Sequence, residues 1–80
     1  MTKQEIRNYT YSLTRNYCSA IEIAERENYN PMIARYNEIS AILLYIENTK
    51  ILDAGDVKYL KAKVEQAYNN FWEKPLHYHA

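Results

Sequence analysis

An 80-residue chain that is 48% apolar and 25% charged has the make-up of one small globular domain, able to fold alone with little stability to spare. Ten basic residues balance ten acidic ones, so nothing draws the molecule over long range toward nucleic acid or anionic lipid. The lone Cys18 excludes an internal disulfide, and no apolar run approaches the roughly 20 residues of a membrane-spanning helix.

The opening Met1-Thr2-Lys3-Gln4-Glu5 lacks the apolar core of a signal peptide, so the expected location is cytoplasmic. Thr2 and Glu5 have the spacing of a capping box, in which each side chain satisfies a backbone N–H of a helix's first turn. From there Ile6, Tyr9, Leu13, Tyr17, Ala20 and Ala24 recur at intervals of 3 or 4, predicting an amphipathic first helix over about 3–27. At a rise of about 1.5 Å per residue it would outreach the other two helices, so it either kinks near Thr14 to Asn16 or overhangs. An overhang carrying Ile6 and Tyr9 would then need another chain to cover it.

Asn28-Tyr29-Asn30-Pro31 ends that helix and starts the next, with Asn30 as N-cap and Pro31 at the first helical position. The second helix is expected over 31–48. Met32, Tyr36, Ile39, Leu43 and Ile46 form its main stripe, which Ile33, Ile42 and Leu44 widen to more than one side. Asn48-Thr49-Lys50 closes it. Asp53 then stands as N-cap of a third helix over 54–73, with Asp56 adding negative charge near the positive end of the helix dipole. Val57, Leu60, Val64, Ala67, Tyr68 and Phe71 are its apolar face, and Pro75 opens a tail over 75–80. The fold class is all-α, an antiparallel three-helix bundle with a long first helix, occupying residues 1–74.

Catalytic chemistry is not expected. The single glycine, Gly55, rules out the familiar glycine-rich phosphate loops. Cys18 falls away from the core stripe, near Tyr11 and Glu22, with no histidine near it in sequence. Glu22 and Glu25 share a face without a Glu-x-x-His partner, and no nucleophile, base and orienting group assemble. His77 and His79 project from one side of an extended tail, but two ligands fall short of the four that structural zinc requires. No cofactor, metal or small-molecule substrate is implied.

Binding is the better expectation, and the tyrosines carry it. Nine are present; Tyr9, Tyr17, Tyr36 and Tyr68 lie on the apolar stripes and read as core. Tyr11, Tyr45 and Tyr59 fall off the stripes, Trp72 sits at a flank, Tyr29 is in a loop and Tyr78 in the tail. Tyrosine, tryptophan and arginine are the usual hot-spot residues of protein interfaces. The expected function is therefore a non-enzymatic protein–protein interaction module, self-associating as a homodimer through the second helix and the overhang. Its interface residues are Tyr11, Tyr45, Tyr59, Trp72, Arg7 and Arg15, with Tyr45 and Trp72 near the seam.

The alternative is a small nucleic-acid-binding regulator. Arg7, Tyr11 and Arg15 recur every four residues, so two guanidiniums flank a ring able to stack on a base, and the third helix adds lysines. Acidic neighbours cancel much of that charge. The abundance of Ile, Asn, Lys and Tyr follows AT-rich codons and suits a small bacterial or phage protein, such as a mobile-element accessory factor binding a host protein.

Overall fold

The computed structural model describes residues 1–75. Helices α1 (Lys3–Ile23), α2 (Asn30–Thr49) and α3 (Ala54–Glu73) pack in all three pairings, and a single 3₁₀ turn at Arg26–Asn28 separates the first two. Side-chain bonds from Arg7 to Asp56 and from Lys74 to the Glu22 carbonyl join like ends of α1 and α3. Those two helices are therefore parallel, with α2 antiparallel to both. The all-α three-helix bundle is shown. Among the described residues there is no strand, and no helix is long and apolar enough to cross a membrane. The expected His77–His79 pair and Tyr78 lie outside the described residues.

The capping box forms at Thr2: its hydroxyl accepts from the Glu5 N–H at 3.1 Å, and the Glu5 carboxylate accepts from the Thr2 N–H at 2.8 Å. Of the other two expected N-caps, Asn30 is overturned and Asp53 holds its position without a side-chain cap bond. Asn30 is already helical, and Tyr29 precedes the helix without a side-chain cap. Asp53 occupies the N-cap position of α3 but turns its carboxylate to Lys3 Nζ, 2.9 Å away. An ion pair with a neighbouring helix has displaced the local hydrogen bond.

α1 stops at Ile23, four residues short of the expected end, because tertiary contacts claim the following backbone. Lys74 Nζ donates to the carbonyls of Glu22 (2.5 Å) and Ala24 (2.8 Å), while Ala24 and Glu25 turn extended. The Arg26 guanidinium then lies over the Phe71 and Trp72 rings at 5.8 and 5.1 Å. The helices have 21, 20 and 20 residues, so α1 does not overhang. Ile6 packs within the chain against the cluster of Ile46, Leu52 and Val57.

The main core comprises Ile21, Met32, Ile39, Leu43, Leu60, Val64, Ala67 and Phe71. On α2 and α3 these are the positions that periodicity selects. On α1 the buried residues are Thr10, Thr14 and Ile21, roughly a quarter turn from the expected stripe at about 100° per residue. Tyr9, expected in the core, is 60% exposed. The rotation follows from α1 sitting in the groove between two helices, so its buried line bisects the two contacts. Threonine tolerates that line because its hydroxyl can bond to its own helix: Thr10 Oγ1 donates to the Ile6 carbonyl at 2.7 Å.

Candidate binding groove between the first and third helices

The parallel pairing of α1 with α3 brings Arg7 and Tyr11 over Asp56, in the first turn of α3. The Tyr11 hydroxyl donates to Asp56 Oδ1 at 2.7 Å, and Arg7 Nε donates to both carboxylate oxygens at 3.3 and 3.2 Å. The Tyr11 hydrogen bond, followed by Arg7, holds the Asp56 carboxyl below its ordinary range; the same bonds push Arg7 and Tyr11 upward. Arg7 lies over the Tyr11 ring at 4.6 Å, and Tyr59 stacks beside that ring at 5.8 Å with 22° between planes. Lys63 Nζ, in turn, is 5.4 Å from the Tyr59 ring centre.

One turn further along lies a cleft of about 300 Å³ lined by Tyr11, Thr14, Arg15, Cys18, Tyr59, Leu60 and Lys63. It exists because α1 presents two small side chains, Thr14 and Cys18, to α3. The walls are mainly apolar. Thr14 is 1% exposed and its Oγ1 has no hydrogen-bond partner. The Cys18 thiol donates to the Lys63 carbonyl at 3.6 Å, and burial, then the Glu22 carboxylate, pushes its pKa up. Cys18 is thus a neutral thiol in the groove, not an activated nucleophile. Among the described residues neither Arg15 nor Lys63 has an ion-pair partner, and no group of three or more His, Cys, Asp or Glu side chains is placed to hold a metal.

The six expected interface residues fall into four environments. Arg7 and Tyr11 are engaged within the chain by Asp56. Arg15 and Tyr59, the latter 50% exposed, border the cleft. Trp72 is inside an aromatic cluster, 5.2 Å from Tyr29, 6.0 Å from Tyr68 and 4.9 Å from Phe71 by ring centres. It is half-buried against its own fold rather than standing at an open seam. Tyr45 is on a different side altogether and is 64% exposed. Sequence reasoning missed Asp56 as a hub, Thr14 as an unpaired buried hydroxyl and Tyr9 as a surface residue. Asp56 could have been found by pairing α1 with α3 in parallel, which sets Arg7 and Tyr11 at its level.

A second surface lies on the outer side of α1 and α2. The Tyr17 hydroxyl meets the Glu38 carboxylate, and desolvation, then Glu38, raises the tyrosine's pKa. Tyr9 is about two turns before Tyr17 and Tyr45 about two turns after Glu38, so antiparallel packing sets both tyrosines at one level. Leu44, 53% exposed, lies about 100° from Tyr45 round α2, on the flank that carries Ser40 and Glu47 toward α3. Toward the other end, Ala20, Ile23, Ala24, Glu25, Asn28, Pro31, Met32 and Arg35 line a more open cleft of about 350 Å³.

Comparison with protein-family models, with curated proteins and with solved structures gave no match. The functional reading therefore rests on the two surfaces just described.

Proposed function

We propose that this chain is a small non-enzymatic binding module whose partner is a protein, in the first instance a second copy of itself. The observation that carries the reading is the outward position of Tyr9 and Tyr45, each more than half exposed and set at one level by the antiparallel α1–α2 packing of a molecule without net charge. Two copies related by a two-fold axis would lay the same patch on itself, with each tyrosine presenting an apolar ring and a hydroxyl for the rim. Zero net charge offers no long-range repulsion against such an approach.

Sedimentation equilibrium at high micromolar concentration tests the self-association. A mass above the 9.6 kDa of one chain is expected, and a monomer throughout refutes it. Tyr45→Ala should weaken assembly while leaving the folding midpoint of the monomer unchanged, because the ring is exposed in a single copy. The nucleic-acid reading has less support. Arg7 and Tyr11 are held by Asp56, and Lys61 pairs with Glu47 at 3.3 Å, so of the remaining cations on α1 and α3 only Arg15 and Lys63 border one cleft, and Lys58 stands apart from it.

A further inference from the structure

We propose that the cleft between α1 and α3 binds a small aromatic anion, a one- or two-ring carboxylate or sulfonate, with its ring against Tyr59 and Leu60 and its charge between Arg15 and Lys63. This site is separate from the Tyr9–Tyr45 surface and does not depend on self-association.

Four observations converge on that chemistry. The volume of about 300 Å³ matches a molecule of that size, at the lower end of the range of ligand pockets. Its walls are mainly apolar and include two tyrosine rings, one of them pinned by Asp56, so an aromatic surface is already in place before anything binds. Two cations border it without a carboxylate partner among the described residues. Of the nearby carboxylates, Asp56 is paired with Arg7 and Tyr11. Glu22, bonded to the neutral Asn70 amide at 2.8 Å, places its charge at the Cys18 end, which directs an anion to Arg15 and Lys63 instead. Finally, Thr14 lines the cleft with the one hydroxyl among the described residues that is buried and lacks any partner. Buried polar groups are almost always paired, so this hydroxyl, closed to solvent in a residue of the cleft wall, gains a partner when a neighbouring side chain shifts to admit a ligand atom.

A neutral aromatic would leave the cations idle, and an aliphatic anion would leave the tyrosine rings unused. The combination selects a ligand that has both features. Cys18, the chain's single cysteine, lies within the cleft and provides a reporter without any engineering.

The test uses the full chain with 2-naphthoate as probe, 2-naphthamide as its uncharged counterpart and hexanoate as the anion without a ring. Amide chemical-shift titrations should show saturable one-to-one binding of 2-naphthoate, with shifts centred on residues 11–18 and 59–63. The naphthamide and hexanoate should each bind at least about tenfold more weakly, the size expected from loss of a charge-assisted bond or of the ring contact. Saturating 2-naphthoate should slow alkylation of Cys18 by iodoacetamide. Arg15 and Lys63 are both exposed, so the Arg15→Gln, Lys63→Gln double variant should fold normally, and it should abolish the preference for the anion over the amide. Equal binding of 2-naphthoate and 2-naphthamide, shifts centred on Tyr9 and Tyr45, or an unchanged alkylation rate under saturation would each overturn the proposal. So would the absence of any shift at millimolar 2-naphthoate.

Discussion

α3 packs against its two neighbours by different physics. Toward α2 it interlocks: the Tyr36 and Tyr68 rings lie 4.3 Å apart, Trp72 bridges Tyr29, Tyr68 and Phe71, and a gap of about 90 Å³ lies by Ser40, Leu43 and Val64. Toward α1 it is clipped by polar contacts at both ends, Asp56 with Arg7 and Tyr11 at one and Lys74 with the carbonyls of Glu22 and the C-cap Ala24 at the other. Between the clips lies a cleft of about 300 Å³. Large rings fill a seam and fix it, whereas the small Thr14 and Cys18 leave room. The seam that leaves room is the one suited to take a ligand.

The comparison breaks most visibly at Phe71, which is fully buried where the three helices meet the aromatic cluster. Phe71→Ala should cost about 3–5 kcal/mol, the usual range for truncating a buried phenylalanine, measured by urea unfolding. For a domain of this size such a loss approaches the whole stability. A cost near 1 kcal/mol would mean that the aromatic seam relaxes to fill the space, and the contrast between the seams would fail. Trp72 fluorescence should report the same transition, since its neighbours are the rings of that seam.

A smaller effect is expected at the clip on the far end of α1. Lys74→Met keeps an apolar stem near Phe71 but removes the ammonium group from the Glu22 and Ala24 carbonyls. The loss should be on the order of 1 kcal/mol, as for a cation at a helix C-terminus with hydrogen bonds to partly buried carbonyls. Hydrogen exchange should accelerate locally at residues 24–28. Uniform acceleration across α2 as well would show that the clip supports the entire bundle rather than one seam.

Opposite in sign is Thr14→Val. The two side chains have nearly the same shape, and the substitution deletes a buried hydroxyl that has no partner. Stability should rise by about 1 kcal/mol, because a buried unsatisfied group is removed while no bond within the chain is lost. A fall of that size would show that the hydroxyl is satisfied through the cleft, by a water held there.

These residues also show where sequence reading succeeds. Periodicity located the faces of α2 and α3 correctly, because Ile39, Leu43, Leu60, Val64 and Phe71 are apolar and buried together. It misplaced the face of α1, since Thr10 and Thr14 are polar by type yet buried, whereas Tyr9 is aromatic yet exposed. Helix-local rules found the Thr2–Glu5 capping box and the N-cap position of Asp53, but not that the Asp53 carboxylate turns to Lys3, fifty residues away. The cleft itself was illegible. It depends on which small residues of one helix oppose which residues of another, and that requires the parallel register of α1 and α3. Once that register is known, Arg7, Tyr11 and Asp56 fall into place.

The smallest effect expected, and the most specific to the α1 seam, depends on pH. Asp56 titrates below its ordinary range in the fold because the Tyr11 hydroxyl donates to it and Arg7 lies beside it. A folded-state pKa lower than the unfolded one stabilises the fold at pH values above the unfolded pKa. That contribution disappears as pH falls through the ordinary aspartate range and past the lowered value. Asp56→Asn keeps the shape and removes the charge. The difference in melting temperature between the two proteins should therefore be largest near neutrality and shrink toward zero in acid. Glu5 is also lowered, by its bonds to Thr2, but both proteins share it and it cancels in the difference. The α2 seam responds at the other extreme. Tyr36, donating to Glu65, is pushed up to about 12, so its contribution holds below the ordinary tyrosine range and is lost as pH rises through that higher value. Tyr36→Phe should accordingly leave the acid limb unchanged and flatten the alkaline one, although Tyr11, Tyr17 and Cys18, also raised, keep some alkaline sensitivity in both proteins. If the Asp56→Asn difference is independent of pH, the carboxylate acts in the clip by shape and neutral hydrogen bonding. The α1 seam is then held by geometry rather than by charge.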